Sequence, residues 1–238
     1  MPMKIFGKNV ITSAVEANRT FHEIYVSYQN VNSCEDILKY ANDRHIKITI
    51  LSRKEMDAKF PKDKHQGIVA FVDEYKYFDL DEILKDNEHP FVIILDGLED
   101  PHNLGAILRT ADATKVDCII IPKNRSVELN STVAKVSTGA IEFVPVAQVT
   151  NLTQTIKKIK DYGIWVVGTD SDAEMQYDEI DGNMRIAVVI GSEGKGISRL
   201  VKEQCDYLVK IPMEGHVNSL NASVSAALLM YQVFNDRR

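Results

Sequence analysis

Residues 91–238 carry six apolar, β-branched runs, and segments with helical spacing separate most of them. These runs predict strands over 91–95, 118–121, 143–146, 164–167, 186–190 and 207–211. The segments between and after them predict helices over 104–113, 152–162, 197–205 and 221–234. Strands that are apolar on both faces and alternate with helices are typical of a parallel sheet covered on each side. The sequence therefore predicts an α/β domain built on a parallel sheet over residues 91–238.

A smaller α/β pattern precedes this domain. It predicts helices over 9–17, 34–44 and 53–59 and strands over 23–26, 46–51 and 67–72. Residues 75–90 are acidic and end at Pro90, just before the first apolar run, which predicts a short linker with one helical turn. We therefore expect a small domain over 1–74, a linker over 75–90 and the larger domain over 91–238.

Composition restricts the class of protein. Hydrophobic residues make up 45% and charged residues 26%, as in ordinary globular domains. No apolar run is long enough for a membrane span, and the N-terminus lacks the pattern of a signal peptide. Cys34, Cys118 and Cys205 are widely spaced, which disfavours disulfides and zinc knuckles. The six histidines show no metal-ligand spacing. We expect a cytoplasmic protein without a metal.

The charge distribution allows a nucleic-acid partner in spite of a net charge of −6. Residues 1–74 hold 11 Lys and Arg against 10 Asp and Glu, and residues 44–64 hold seven against three. A solvated surface is one interpretation of this basic stretch, and an RNA-binding footprint is the other. For the second interpretation, the candidate RNA-binding residues are Arg44, Arg53, Lys54, Lys59 and Lys62.

Three polar, glycine-containing segments follow predicted strands of the larger domain, over 96–109, 191–199 and 212–225. Ligands of α/β sheets bind beyond the carboxyl ends of the strands, so these segments are the candidate site. In the first of them, Asn103 is explained equally well as a helix N-cap. Arg109 lies between apolar helical positions, where it either reaches along the surface to solvent or binds a carboxylate or phosphate.

The second segment, Gly191 to Arg199, matches neither a phosphate loop nor the dinucleotide fingerprint. Glu193 would repel a pyrophosphate, so the glycines favour close approach of the backbone to an uncharged or cationic ligand such as a sulfonium. An ordinary glycine-rich turn from strand to helix is the alternative, which explains the glycines but not Glu193. In the third segment, one of Ser219, Asn221 and Ser223 is needed to cap the last helix. The two others are left as candidates for holding a ligand or a loop.

Together, the three segments resemble the signature motifs of the SpoU/TrmH family of RNA ribose methyltransferases, within the SPOUT class. The first motif is Asn103 with Arg109, and the second is Gly191-Ser-Glu193-Gly. The third runs from Ile211-Pro-Met to Ser219-Leu-Asn221, with Ala222 where valine is usual. In the first domain, residues 6–10 and 65–70 resemble the substrate-binding domain of the branch that methylates guanosine in 23S rRNA, a ribosomal-protein-like RNA-binding fold.

The resemblance implies transfer of a methyl group from S-adenosylmethionine to a ribose 2′-hydroxyl of RNA. The most similar branch of the family implies that this ribose belongs to a guanosine of 23S rRNA. It also implies a C-terminal trefoil knot and a homodimer, to which the small-residue helix over 221–234 would contribute. A tRNA methyltransferase and a catalytically silent RNA-binding relative are the alternatives. A nucleotide-binding dehydrogenase is disfavoured because G-x-G-x-x-G is missing.

Residue roles also follow from the resemblance. The implied catalytic residues are Asn103, Arg109, Glu193, Ser219 and Asn221. The implied cofactor-binding residues are Thr169, Gly191, Gly194, Ile211, Ser219 and Leu220. The family assigns activation of the hydroxyl to Arg109. Since an arginine side chain stays protonated in proteins, we expect Arg109 to bind the adjacent phosphate and lower the pKa of the hydroxyl through its charge.

Overall fold

The computed structural model describes residues 2–61 and 63–238. The chain forms two compact units, the first made of Met1–Lys76 with Leu129–Phe143 and the second of Tyr77–Glu128 with Val144–Arg238. Residues 129–143 lie within the range predicted as the larger domain, yet they belong to the first unit. The predicted linker, residues 75–90, is divided between the units after Lys76.

The elements alternate along the whole chain. The strands are β1 Met3–Phe6, β2 Phe21–Ser27, β3 Lys47–Leu51, β4 Ile68–Val72, β5 Phe91–Asp96, β6 Cys118–Pro122, β7 Val146–Val149, β8 Trp165–Thr169, β9 Met175–Gln176, β10 Ile186–Gly191 and β11 Tyr207–Lys210. The helices are α1 Lys8–Glu16, α2 Glu35–Asp43, α3 Arg53–Lys59, α4 Leu80–Leu84, α5 Pro101–Ala113, α6 Ser131–Val136, α7 Leu152–Asp161, α8 Arg199–Lys202 and α9 Ala222–Asp236. Short 3₁₀ turns occupy Tyr28–Asn30, Asn32–Cys34, Ala140–Glu142 and Tyr177–Glu179.

The first unit is built on a four-stranded sheet in the order β1-β4-β2-β3. Strands β2 and β3 are parallel, and β4 is antiparallel to both β1 and β2. The six elements predicted over 1–74 are all present, with bounds within two residues of the prediction. Strand β1 was not predicted, because it has four residues of which only Ile5 is buried, so it shows no alternation.

Residues 129–143 are held in the first unit by apolar packing and by a buried ion pair. Val133 and Ile141 are buried. Arg19 Nη1 lies 3.0 Å from Glu142 Oε2, and the Glu142 side chain is only 2% exposed. The Tyr75 hydroxyl donates to Glu142 Oε1 at 2.8 Å, and the Arg19 guanidinium lies 4.0 Å from the centre of the Tyr75 ring. Burial raises the pKa of Tyr75 far above its usual value, so the phenol remains a donor.

The second unit is an α/β unit with a seven-stranded sheet in the order β7-β6-β5-β10-β8-β11-β9, and every pair is parallel. The predicted parallel sheet is therefore confirmed. Strand β7 begins three residues later than predicted, because the residues before it form the turn Ala140–Glu142 in the first unit. Helix α8 covers only part of the predicted 197–205. The predicted turn in the acidic segment is α4, which buries Leu80 and Leu84 in the core of this unit.

Strand order determines where ligands can bind. The chain starts at β5 and builds β6 and β7 on one side, whereas β10 lies on the other side of β5. The junction of β5 and β10 is therefore a topological switch point, the usual ligand site of such sheets. Helix α9 packs on α5 and β10 and buries Ala222, Ala226, Leu229, Met230 and Val233. No helix in the described part of the chain is long and apolar enough to cross a membrane.

Candidate functional site

Three polar side chains predicted from separate segments meet at the carboxyl ends of β5 and β10. Asn103 Nδ2 donates to Glu193 Oε1 at 2.8 Å. Asn221 Nδ2 donates to the same oxygen at 2.5 Å and lies 3.0 Å from Asn103 Oδ1. The backbone N–H of Ala222 also points at Glu193 Oε1, at 3.4 Å. We call Asn103, Glu193 and Asn221 the amide–carboxylate cluster.

The capping of helices α5 and α9 leaves both amide side chains able to contact Glu193. Helix α5 begins at Pro101, and the Asp100 side chain caps it by accepting from the N–H of His102 at 2.9 Å. The N-cap interpretation of Asn103 is therefore wrong, and its side chain is free to bind Glu193. Asn221 is the N-cap of α9, since its Oδ1 accepts from the N–H of Ser223 at 2.9 Å. Its amide nitrogen remains available to the cluster.

The loop after β10 owes its glycines to its own shape. Ser192 and Gly196 exchange backbone hydrogen bonds of 3.2 and 2.9 Å, which closes a tight turn. Gly194 has φ 76° and Gly196 has φ 64°, a region that favours glycine. A Cβ on Gly191 would lie 2.1 Å from the backbone carbon of Gly196. Glycine is required at Gly191 because the backbone of this same loop lies close against it. The sequence had suggested instead that a ligand approaches the backbone here. The turn presents Glu193 to the cluster.

A cavity of about 260 Å³ opens beside the cluster. Its lining comes from the two loops that follow β5 and β10 and from the first turn of α5, namely Gly97, Leu98, Glu99, Asp100, Asn103, Ser192, Glu193 and Lys195. In the cavity wall, Asn103 is 7% exposed, whereas Glu193 is exposed. The cavity therefore lies at the switch point and is lined mainly by carboxylates and small residues.

The remaining predicted site residues lie outside the cluster. Arg109 is exposed on α5, about 9 Å further along the helix axis than Asn103, and it has no hydrogen-bond or ion-pair partner within residues 2–61 and 63–238. Ser219 is exposed in the segment between β11 and α9, and Ile211 and Leu220 are half-buried there. The Thr169 hydroxyl, at the end of β8, donates to the carbonyl of Val189 at 3.2 Å.

The structure distributes the predicted RNA-binding residues over the first unit. Arg53 and Lys54 begin α3, where Arg53 pairs with Asp57 at 3.2 Å. Lys59 lies 5.0 Å from the centre of the Tyr25 ring. Arg44 precedes β3, at the opposite end of that strand from α3, and stacks on Tyr40 at 3.9 Å. Lys62 falls outside the described residues.

Two aspartates that are absent from the predicted site residues support the site. Asp96 ends β5, opposite Gly191 in the register, and its Oδ2 accepts from the N–H of Ser198 at 2.7 Å. This bond ties the loop after β10 to the end of β5. Asp100 frees Asn103 by capping α5. The sequence did contain a signal for Asp96, since a polar residue directly after a predicted apolar strand lies where ligands bind. In the described residues, no group of three His, Cys, Asp or Glu is arranged to hold a metal ion.

Replacing Asn103 with alanine is expected to lower the free energy of unfolding by about 1–3 kcal/mol, because Glu193 loses a buried donor. Asn103→Asp places two carboxylates at hydrogen-bond distance and is expected to cost more at pH 7 than at pH 5, where they can share a proton. Chemical denaturation at the two pH values measures both effects. Exposed Asn124→Ala is the control. Equal stability of Asn103→Asp at both pH values would contradict the geometry.

Comparison with known proteins identifies the family of this chain. Residues 90–231 match the model of the SpoU rRNA Methylase family, and residues 4–78 match the model described as RNA 2′-O ribose methyltransferase substrate binding. The chain is 49% identical over 238 residues to the putative TrmH family tRNA/rRNA methyltransferase YacO of Bacillus subtilis, covering 98% of this chain and 95% of that protein.

Solved structures with the same fold include the SpoU methyltransferase AviRb of Streptomyces viridochromogenes, in complex with the cofactor AdoMet. It superposes with a TM-score of 0.84 at 23% identity, over 99% of this chain and 90% of AviRb. A second, described as an RNA 2′-O ribose methyltransferase, gives a TM-score of 0.80 at 25% identity, over 99% of this chain and 89% of that one. From the family models and the similarity to YacO, we conclude that this chain belongs to the SpoU/TrmH family of RNA methyltransferases.

Proposed function

We propose that this enzyme transfers a methyl group from S-adenosylmethionine to a ribose 2′-hydroxyl, and that its target is a guanosine of 23S rRNA. The observation that carries the proposal is the amide–carboxylate cluster. It joins one residue from each of the three family motifs beside a cavity at the switch point. Such a cluster fixes the orientation of Glu193 before substrate arrives, which is how an enzyme positions reactants at low entropic cost.

The chain's own residues fit the cofactor. Strands β10, β8 and β11 are neighbours, so the segments that follow them gather at one edge of the sheet. Glu193 brings negative charge to that edge, which suits a sulfonium and disfavours a pyrophosphate, whereas the Asp170 carboxylate there is paired with Lys202. A hydrogen bond from Lys202 holds the pKa of Asp170 below its usual value, so it is ionised at neutral pH. Gly194 and Gly215 border open space, and Met213 is exposed nearby.

Thr169, Gly191, Gly194, Ile211, Ser219 and Leu220 would hold the cofactor, chiefly through backbone groups. When bound, S-adenosylmethionine supplies an electrophilic methyl group. Glu193, fixed by Asn103 and Asn221, orients the ribose against it. Arg109 binds the phosphate beside the target nucleotide and lowers the pKa of the 2′-hydroxyl through its charge, and that phosphate accepts the proton.

The substrate-binding match over residues 4–78 supports RNA as the substrate of the first unit. The relatives are named for both tRNA and rRNA, so tRNA is the second candidate. Transfer of a tritium-labelled methyl group to 23S rRNA and to total tRNA, both from cells lacking the enzyme, separates them. We expect labelled 23S rRNA and unlabelled tRNA. Label in tRNA alone would contradict the rRNA assignment, and label in neither would contradict the activity.

We also infer that the second unit is knotted. Strand β11 lies beyond β8, yet the chain after it returns so that Asn221 contacts Glu193 and α9 packs on β10 and α5. A return of this kind is what threading the C-terminal segment as a trefoil would produce. An RNA substrate and three free thiols, of Cys34, Cys118 and Cys205, support a cytoplasmic location.

We expect the enzyme to be a homodimer that uses the outer face of α9. Val224 and Tyr231 lie seven residues apart on this helix, and each is 46% exposed. Light scattering is expected to give twice the chain mass of 26.8 kDa for the wild type and the chain mass for Tyr231→Arg. Leu200→Arg, at an exposed apolar residue of α8, is expected to remain dimeric. A fully active wild-type monomer at micromolar concentration would contradict the dimer.

A further inference from the structure

One edge of the sheet in the first unit collects cationic side chains from several parts of the chain. Strands β1, β2 and β3 end at this edge and β4 begins there, because β4 is antiparallel to its neighbours. The exposed cations next to these strand ends are Lys8 after β1, Arg53 and Lys54 after β3, and Lys64 before β4. We call this edge, with Lys135 described below, the basic edge.

Lys135 joins the basic edge from α6, which lies outside the substrate-binding match over 4–78. Its Nζ donates to Gln66 Oε1 at 3.3 Å and lies 5.6 Å from the centre of the Phe6 ring. Gly7 lies against the ammonium so closely that a Cβ there would be 2.5 Å from Nζ. Gly7 also has φ 90°, so this position is doubly restricted to glycine.

The Lys135 ammonium has no carboxylate partner within residues 2–61 and 63–238. Four carboxylates of this unit already have partners of their own. Asp63 pairs with Lys4, Asp57 with Arg53 and Glu142 with Arg19, and Glu55 caps the start of α3. Burial lowers the pKa of Lys135, since the ammonium is partly desolvated without a compensating charge. An anion bound at this point would supply that charge.

We propose that Lys135 and the amide of Gln66 bind a backbone phosphate of the RNA substrate, and that the RNA crosses the first unit along the basic edge. This inference rests on the proposed function, since it takes RNA as the substrate. Tyr28 follows β2 on the same edge and is 68% exposed, which places an aromatic ring where an unpaired base can stack. Lys8, Lys54 and Lys64 extend the phosphate-binding surface on both sides of Gln66.

This geometry differs from the footprint predicted from residues 44–64 alone. Arg44 and Lys47 flank the amino end of β3, at the opposite edge of the sheet. Lys47 is moreover paired with Glu23 at 2.5 Å. The basic edge instead combines residues from 8 to 135, so that the segment 129–143 contributes to RNA binding as well as to the core of the first unit.

A packing role over Phe6 is the competing explanation of Lys135, and matched variants separate the two. Lys135→Met keeps an unbranched apolar side chain on the ring but removes the charge, whereas Lys135→Arg keeps the charge. Lys47→Met removes one positive charge at the opposite edge and serves as the control. The readouts are the affinity of each variant for in vitro transcribed 23S rRNA across a salt series, and its affinity for S-adenosylhomocysteine.

We expect Lys135→Met to weaken RNA binding and to lower the salt slope by about 0.7–1, the contribution of one phosphate contact. Lys135→Arg and Lys47→Met should keep the wild-type slope, and all variants should bind S-adenosylhomocysteine as the wild type does. An unchanged slope for Lys135→Met in a protein that binds and methylates RNA would overturn this inference alone. A wild-type protein that neither binds nor methylates RNA would overturn the proposed function with it.

Discussion

Replacing Arg109 with alanine is expected to lower kcat/KM for RNA methylation by about 10²–10³-fold, the usual effect of removing a charge that stabilises the transition state. The affinity for S-adenosylhomocysteine should stay nearly unchanged, because Arg109 is proposed to act on the RNA. The free energy of unfolding should also stay unchanged, since Arg109 is exposed and has no partner in the described chain.

The matched variants make this result specific. Arg109→Lys should also be poor, because a point charge cannot replace a planar group that forms two hydrogen bonds. Exposed Arg238→Ala removes the same charge at the C-terminus and should keep wild-type turnover. Single-turnover methylation measures the rate, and calorimetry measures binding of S-adenosylhomocysteine. Near-wild-type turnover of Arg109→Ala would show that the proposed role is wrong.

Replacing Arg19 with methionine is expected to lower the free energy of unfolding by about 3–5 kcal/mol. The variant leaves the Glu142 carboxylate, 2% exposed, without its cation, and breaking one side of a buried pair leaves an uncompensated charge. The Tyr75 ring also loses the guanidinium stacked on it. Denaturant unfolding followed by circular dichroism measures the effect.

A double variant tests whether the buried charge of Glu142 causes the loss of stability. Arg19→Met with Glu142→Gln should recover a substantial part of the loss, because the orphaned carboxylate is gone. Lys39→Met, at an exposed cation of the same unit, should change stability by no more than about 0.5 kcal/mol. A loss below 1 kcal/mol for Arg19→Met would contradict the contact that ties residues 129–143 to the first unit.

The strands with long apolar runs were predictable from the sequence. The segment that leaves the second unit and packs in the first was not. Strands β5, β6 and β10 are buried on both faces, so their composition alone identifies them. Residues 129–143 connect β6 and β7 in sequence, and no local pattern shows that Ile141 and Glu142 pack in the first unit. Long-range contacts, among them the ion pair of Glu142 with Arg19, determine this.

The candidate site was partly predictable for a related reason. The strand ends indicated the three segments, but Asn103 could be a helix cap as well as a site residue. The structure decides between them because Asp100 caps the helix and Pro101 begins it, three residues earlier than with Asn103 as the cap. Nearness in sequence also misled for the basic stretch, since Arg44 and Lys54 lie at opposite ends of β3. Lys135 could not be selected, because it is distant from the other cations in the chain.

Identification of the methylated nucleoside tests the proposed reaction most directly. Unmodified 23S rRNA is incubated with the purified enzyme and S-adenosylmethionine, digested to nucleosides and examined by mass spectrometry, with Arg109→Ala as the control. We expect 2′-O-methylguanosine, with the added mass on the ribose fragment, and none with Arg109→Ala. A methyl group on a base, or no methylated nucleoside from a folded protein that binds S-adenosylhomocysteine, would contradict ribose methylation.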